Sequence, residues 1–304
     1  MGRIMNDIST CLGKITLKSP ILNASGTFGT EYFNFFEQEV QGAYVTKTIT
    51  LKPKEGNPSP RLYETEAGLL NAIGLQNPGL KSFLNEDLFE LRDCLRIPLI
   101  VSFSGATEDE FIRVMEGLEL HSGIYGYEIN ISCPNVEREG IAFGTEPDVV
   151  FKLVEKLAKL TERELIVKLS PNVTDIGLIA QAAEAGGATS ISLINTLYGM
   201  AIDWETGKSR LSIPVCGYSG MGIKPVALAL TYQTTRAVKI PVIAMGGIHS
   251  WQDALEFFYA GASAIAIGTA NFSNPLTISE VYQGLQNFLK QRNLNLRDII
   301  GKVK

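Results

Sequence analysis

Leu165-Ile166-Val167-Lys168-Leu169-Ser170 is nearly all apolar until its C-terminal end, where the serine stands. A strand with one wet face alternates polar and apolar residues. A short, nearly continuous apolar run instead reads as a parallel strand covered by helices. Similar β-branched, apolar runs recur at 20–25, 43–48, 98–104, 125–131, 189–195, 241–246 and 263–268. A turn and a helical stretch follow most of them. In the stretches 147–160 and 227–238, for example, apolar residues repeat at i, i+3, i+4 spacing. Eight βα units close an α/β fold of the (β/α)8 TIM-barrel type. Residues 8–18, ahead of the first strand, read as a β-hairpin turning at Gly13 and covering the bottom of the barrel. No linker or low-complexity tract interrupts the chain, so residues 1–304 are read as one domain.

The bulk composition narrows the function classes. Of 304 residues, 45% are hydrophobic and 19% charged, enough apolar material for a large core. A net charge of -5 gives no general attraction to nucleic acid or anionic lipid, so neither is expected as a partner. Cys11, Cys94, Cys133 and Cys216 are far apart and include no C-x-x-C pair. No zinc or iron–sulfur site is therefore suggested, and a reducing compartment is the simple reading. His121 and His249 lack metal-ligand spacing, so no metal is expected. The N-terminus turns acidic before any apolar run, and no stretch approaches the roughly 18 uninterrupted apolar residues of a membrane span. A cytoplasmic protein is expected.

Barrel sites are built at the C-terminal strand ends. Here those ends carry Thr46-Lys47-Thr48, Asn130-Ile131-Ser132-Cys133-Pro134-Asn135, Lys168-Leu169-Ser170 and Asn195-Thr196, and the loop after the second strand carries Asn71-Ala72-Ile73-Gly74-Leu75. The seventh strand runs into Gly246-Gly247-Ile248 and the eighth into Gly268-Thr269, each ahead of a helix. Glycines let backbone N–H groups approach a phosphate, and a following helix N-terminus favours its charge. The plainer alternative is a pair of tight βα turns.

These motifs, in this order and over nearly the whole chain, resemble the class I dihydroorotate dehydrogenases, and within them the NAD-linked branch. The resemblance implies oxidation of (S)-dihydroorotate to orotate in de novo pyrimidine (UMP) biosynthesis. A proton leaves one ring carbon, and a hydride passes from the next to FMN, one per chain. By residue, it implies Cys133 as the general base, in a loop resembling a mobile lid. Lys168 contacts the flavin ring, and Lys47 reaches both flavin and substrate. Asn71, Asn130, Asn135 and Asn195 read the substrate, joined by Ala72, Ile73, Gly74, Leu75 and Thr196. The chemistry suits these assignments, because an amide offers one acceptor and two donors to a ring of alternating N–H and C=O groups. The remaining FMN positions implied are Ser25, Thr48, Ser102, Asn130, Ile194, Gly220, Gly246, Gly247, Gly268 and Thr269. A structural salt bridge is the alternative for Lys168, and a small buried hydrophobe that for Cys133.

The sequence departs from the family pattern at three places. Ser102 stands where an asparagine is frequent, Cys216-Gly217-Tyr218-Ser219-Gly220-Met221 replaces a more glycine-rich loop, and Glu139 replaces a glycine. The chain also has no G-x-G-x-x-G after a strand and no cysteine set for a cluster, so its electrons must leave to another acceptor. The resemblance implies a homodimer joined to an electron-transfer subunit carrying FAD and [2Fe–2S], together a heterotetramer. The alternatives are a fumarate-linked homodimer, a dihydropyrimidine dehydrogenase, a Schiff-base aldolase using Lys168, and a non-catalytic flavin-binding barrel. The lack of an amphipathic N-terminal extension argues against the quinone-using class.

Overall fold

The computed structural model describes residues 6–131 and 143–303. At its centre lie eight parallel strands, β1 (Ile21–Asn23), β2 (Tyr44–Val45), β3 (Leu99–Phe103), β4 (Gly126–Asn130), β5 (Glu164–Lys168), β6 (Ser190–Leu193), β7 (Val242–Met245) and β8 (Ala264–Ile267). They bond in the order β1-β8-β7-β6-β5-β4-β3-β2. A parallel bridge between Leu22 and Ala43 joins the end strands, so the sheet closes as the expected barrel. Most ladders are shorter than the apolar runs that signalled them: of residues 43–48 only Tyr44–Val45 forms a strand.

Alternation along the strands sorts their side chains into two cores. Leu22, Val45, Ile100, Ile166, Ile243 and Met245 share one apolar cluster inside the barrel. Val101, Phe103, Tyr127, Ile129, Val167 and Leu193 belong to a larger cluster shared with the helices outside. Each fully buried aliphatic side chain contributes roughly 1.5–3 kcal/mol. The helices follow their sequence signals. Pro147–Ala158 buries Val150, Leu153, Val154 and Leu157 on one stripe, and Ile176–Ala185 starts where the Asp175 carboxylate accepts the N–H groups of Gly177 and Leu178. No helix among the described residues is long and apolar enough to cross a membrane.

The N-terminal hairpin is present, with Thr10–Leu12 paired antiparallel to Ile15–Leu17. Leu12, Ile15 and Leu17 enter the inner cluster, so the hairpin plugs the end of the barrel where the strands begin. Its turn sits on the start of β5. A Cβ at Gly13 would meet Glu164 Oε2 and Thr189 Cβ, both at 2.7 Å, and Gly13 has φ +31°. Glu164 is fully buried, and its carboxylate accepts the Lys14 N–H at 2.5 Å and the Ser190 hydroxyl at 2.6 Å.

One element escaped the sequence reading. A four-stranded antiparallel sheet runs in the order Leu197–Gly199, Cys216–Ser219, Gly68–Asn71, Leu62–Thr65, and its strands are inserted after β2 and β6 at the mouth. Asn71 therefore ends a strand rather than lying in a loop, and the segment Cys216–Met221 is a strand running into a 3-10 turn, Met221–Ile223.

Replacing Glu164 by alanine is expected to strand the buried Ser190 hydroxyl and release the Lys14 N–H, at a cost of about 1–3 kcal/mol. Thermal unfolding of Glu164→Ala checks this: a lowered Tm is expected, and an unchanged one would show that the carboxylate's bonds to the hairpin turn and Ser190 contribute nothing.

Candidate functional site

A cavity of about 470 Å³ opens at the C-terminal ends of the strands, under the four-stranded sheet. That is within the roughly 300–1,000 Å³ typical of small-molecule and cofactor sites. Of the expected positions, the structure brings to its wall Ser25, Lys47, Thr48, Asn71–Leu75, Asn130, Lys168, Ile194, Asn195, Thr196, Gly220, Gly246, Gly247, Gly268 and Thr269. Cys133 and Asn135, like Glu139 and the rest of the expected lid 137–140, lie outside the described residues. Ser102 is placed differently: it is fully buried beneath the floor and bonds to Thr48 rather than facing the cavity.

Among the described residues, no carboxylate lines the cavity, whereas Lys47 and Lys168 both do. Lys47 is exposed to the cavity. Desolvation by the surrounding walls, and then the nearby Arg61 guanidinium, hold its pKa below the ordinary lysine value. Both causes would be offset by an anion. Lys168 is buried at the end of β5, with Nζ 3.4 Å from Glu128 Oε1. It is thus half of a buried ion pair, as the structural alternative expected, and also a wall residue of the cavity.

Below the cavity the barrel interior turns polar. Glu128 accepts from Ser102 Oγ at 3.2 Å and from Ser192 Oγ at 3.0 Å in addition to Lys168. Thr48 Oγ1 lies 2.9 Å from Ser102 Oγ and 3.1 Å from Ser25 Oγ, and accepts from Asn130 Nδ2 at 3.4 Å. Each hydroxyl has one proton. Ser102 directs its proton to Glu128 and Ser25 to the Thr46 carbonyl at 2.9 Å, so Thr48 donates to one of these two serines. The chain of bonds ties the wall residues Ser25, Thr48, Asn130 and Lys168 to one carboxylate. Sequence reasoning missed Glu128 and Ser192, although the signal was there. In Gly126-Tyr127-Glu128-Ile129-Asn130 and Ser190-Ile191-Ser192-Leu193, alternation puts the polar residues on the inner face.

The glycine turns serve two purposes. A Cβ at Gly246 would stand 2.7 Å from Ala227 Cβ, and one at Gly247 2.6 Å from Lys224 Cβ, both on the neighbouring helix Lys224–Ala237. With φ of +123° and +78°, this turn needs glycine both for its backbone and for packing. Its N–H groups, and those of Gly268 and Thr269, have no acceptor among the described residues, and so can bind an anion. The helix ends that follow are partly engaged within the chain: a Ser250–Asp253 capping box occupies two N–H groups at the start of Trp251–Tyr259, with Asp253 also paired to Lys224 at 2.7 Å, and Ala270–Ser273 is a single turn. Cys216 lines the cavity too, but burial pushes its thiol pKa up, so it stays protonated.

The sequence model of the family described as dihydroorotate dehydrogenase matches residues 8–289. The chain is 48% identical over 296 residues to a protein of Thermoanaerobacter pseudethanolicus named dihydroorotate dehydrogenase B (NAD(+)), catalytic subunit, covering 96% of this chain and 97% of that one. A protein of the same name from Geobacillus kaustophilus is 44% identical, covering 98% and 96%. The fold is similar to a crystal structure of a dihydroorotate dehydrogenase from Eimeria tenella in complex with ferulenol, with a TM-score of 0.80 at 23% identity over 97% of this chain and 88% of that one. With a family match over nearly its whole length and relatives identical at almost half their positions, the chain belongs to the dihydroorotate dehydrogenase family.

Proposed function

We propose that this chain is the catalytic subunit of an NAD-linked dihydroorotate dehydrogenase, a single FMN-binding barrel domain acting in the cytoplasm in pyrimidine biosynthesis. The observation that carries the reading is a cavity lined by two lysines and no carboxylate among the described residues, with two glycine turns offering free N–H groups. Such a lining fits a group with a phosphate at one end, together with a carboxylate-bearing substrate. FMN, when bound, supplies the acceptor for a hydride.

The chain's own residues do the rest. Gly246, Gly247, Gly268 and Thr269 hold the phosphate through backbone N–H groups. Lys168 presents a cation to the flavin ring, and Ser25, Thr48 and Gly220 hold the polar parts of the cofactor. Lys47 serves the substrate carboxylate as well as the flavin. The amides of Asn71, Asn130, Asn135 and Asn195 read the substrate ring, while Ala72–Leu75 and Thr196 complete its walls. Cys133 removes the proton from the ring carbon.

The names of the relatives, each a catalytic subunit linked to NAD(+), support an onward path through a partner carrying FAD and [2Fe–2S], assembled on a homodimer as a heterotetramer. They weigh against the fumarate-linked alternative. Family membership removes the support for an aldolase using Lys168.

An anaerobic absorbance spectrum of the FMN-loaded chain tests the reading. Dihydroorotate should bleach the flavin band and dihydrouracil should not; bleaching by dihydrouracil alone would replace the proposal with a dihydropyrimidine dehydrogenase. In the same assay Cys133→Ala should keep its flavin yet bleach about 10²–10⁴-fold more slowly, the usual contribution of a positioned base. An unchanged rate would remove Cys133 from the mechanism.

A further inference from the structure

Glu128 is a carboxylate that the expected chemistry does not use. It lies on the inner face of β4, is 3% exposed, and accepts three hydrogen bonds: from Lys168 Nζ at 3.4 Å, Ser102 Oγ at 3.2 Å and Ser192 Oγ at 3.0 Å. The ladder sets Asn130 opposite Lys168 and Glu128 opposite Ile166, so Glu128 meets Lys168 diagonally from one layer below the mouth. Ser102 from the adjacent β3 and Ser192 from β6, across β5, fix the carboxylate. Stability alone does not call for this arrangement, because an apolar pair of similar volume is often as stable as a buried ion pair. Elsewhere the inner face is apolar at Leu22, Val45, Ile100, Ile243 and Ala266, and the other buried carboxylate, Glu164, is taken up by the hairpin turn and Ser190.

We propose that Glu128 is a positioning residue for Lys168: it holds the ammonium at the cavity floor and tempers the positive charge that this ammonium presents to the flavin. The inference rests on FMN occupying the cavity as set out above. Among the described residues no carboxylate lines the cavity wall, so the negative charge beneath the floor is the one bonded to its buried lysine. An untempered ammonium would hold negative charge on the reduced ring strongly. A site that must pass its electrons on benefits from a weaker hold. The hydroxyls of Ser102 and Ser192 keep the carboxylate charge fixed in place, which is the preorganisation such tuning requires.

The test uses the FMN-loaded chain and sulfite, an anion that adds reversibly to oxidised flavins and leaves negative charge on the ring. Glu128→Gln keeps the shape and removes the charge, so the sulfite Kd should fall about tenfold and the flavin midpoint potential should rise. Lys168→Met leaves Glu128 unpaired and should weaken sulfite binding. Adding Glu128→Gln to it should recover part of that loss. A flavin-loaded Glu128→Gln protein with an unchanged or weaker sulfite affinity would overturn the proposal, even if its Tm fell, because lost packing alone does not tighten anion binding. If the single variant does not fold, the comparison of Lys168→Met with the double variant decides, and no recovery there overturns it equally. A wild-type chain that takes up no FMN would instead strike at the cofactor reading, so the two failures are distinguishable.

Discussion

Glu128 accepts its three hydrogen bonds inside a closed barrel, where water is excluded and a charge must find its partners among neighbouring strands. That requirement organises the upper half of the molecule. It draws Lys168 to the floor of the cavity, turns Ser102 and Ser192 inward, and through Ser102 reaches Thr48, Ser25 and Asn130 on the wall. The lower half meets a similar demand at Glu164, which binds the hairpin turn and Ser190. Between the two polar layers lies an aliphatic one, so a buried carboxylate marks each end of the barrel and hydrocarbon fills its middle.

The cavity above inherits its chemistry from this arrangement. Among the described residues its wall charges are lysines, its amides come from several strand ends, and the Gly246-Gly247 turn is glycine because a neighbouring helix leaves no room for a Cβ. The tight turn that packs Gly246 and Gly247 against this helix also leaves their backbone N–H groups without an acceptor among the described residues.

Much of this was legible in the sequence because barrels advertise themselves through repetition. The apolar runs located all eight strands, Gly13 located the hairpin turn, and polar residues at strand ends located the mouth. Three features fall outside that repetition. The strands of the sheet covering the mouth are three or four residues each and carry little periodicity, so Asn71 and Cys216 were read as loop residues. Ser250-Trp251-Gln252-Asp253 has the spacing of a capping box, which engages part of the end of the following helix. Glu128 was hidden because its strand was read as an apolar run bearing a polar end, when its inner face is Gly126, Glu128 and Asn130. Alternation inside a nominally continuous run is the signal that would have found it.

The affinities of the flavin-free chain for FMN and for riboflavin, which share a ring and differ in the phosphate, test whether this barrel mouth is built for a phosphate-bearing flavin. Hydrogen bonds to a charged group are worth about 1.5–3 kcal/mol each, so FMN should bind about a hundredfold tighter or more. Equal affinities would contradict the account, because the glycine turns would then be packing features alone.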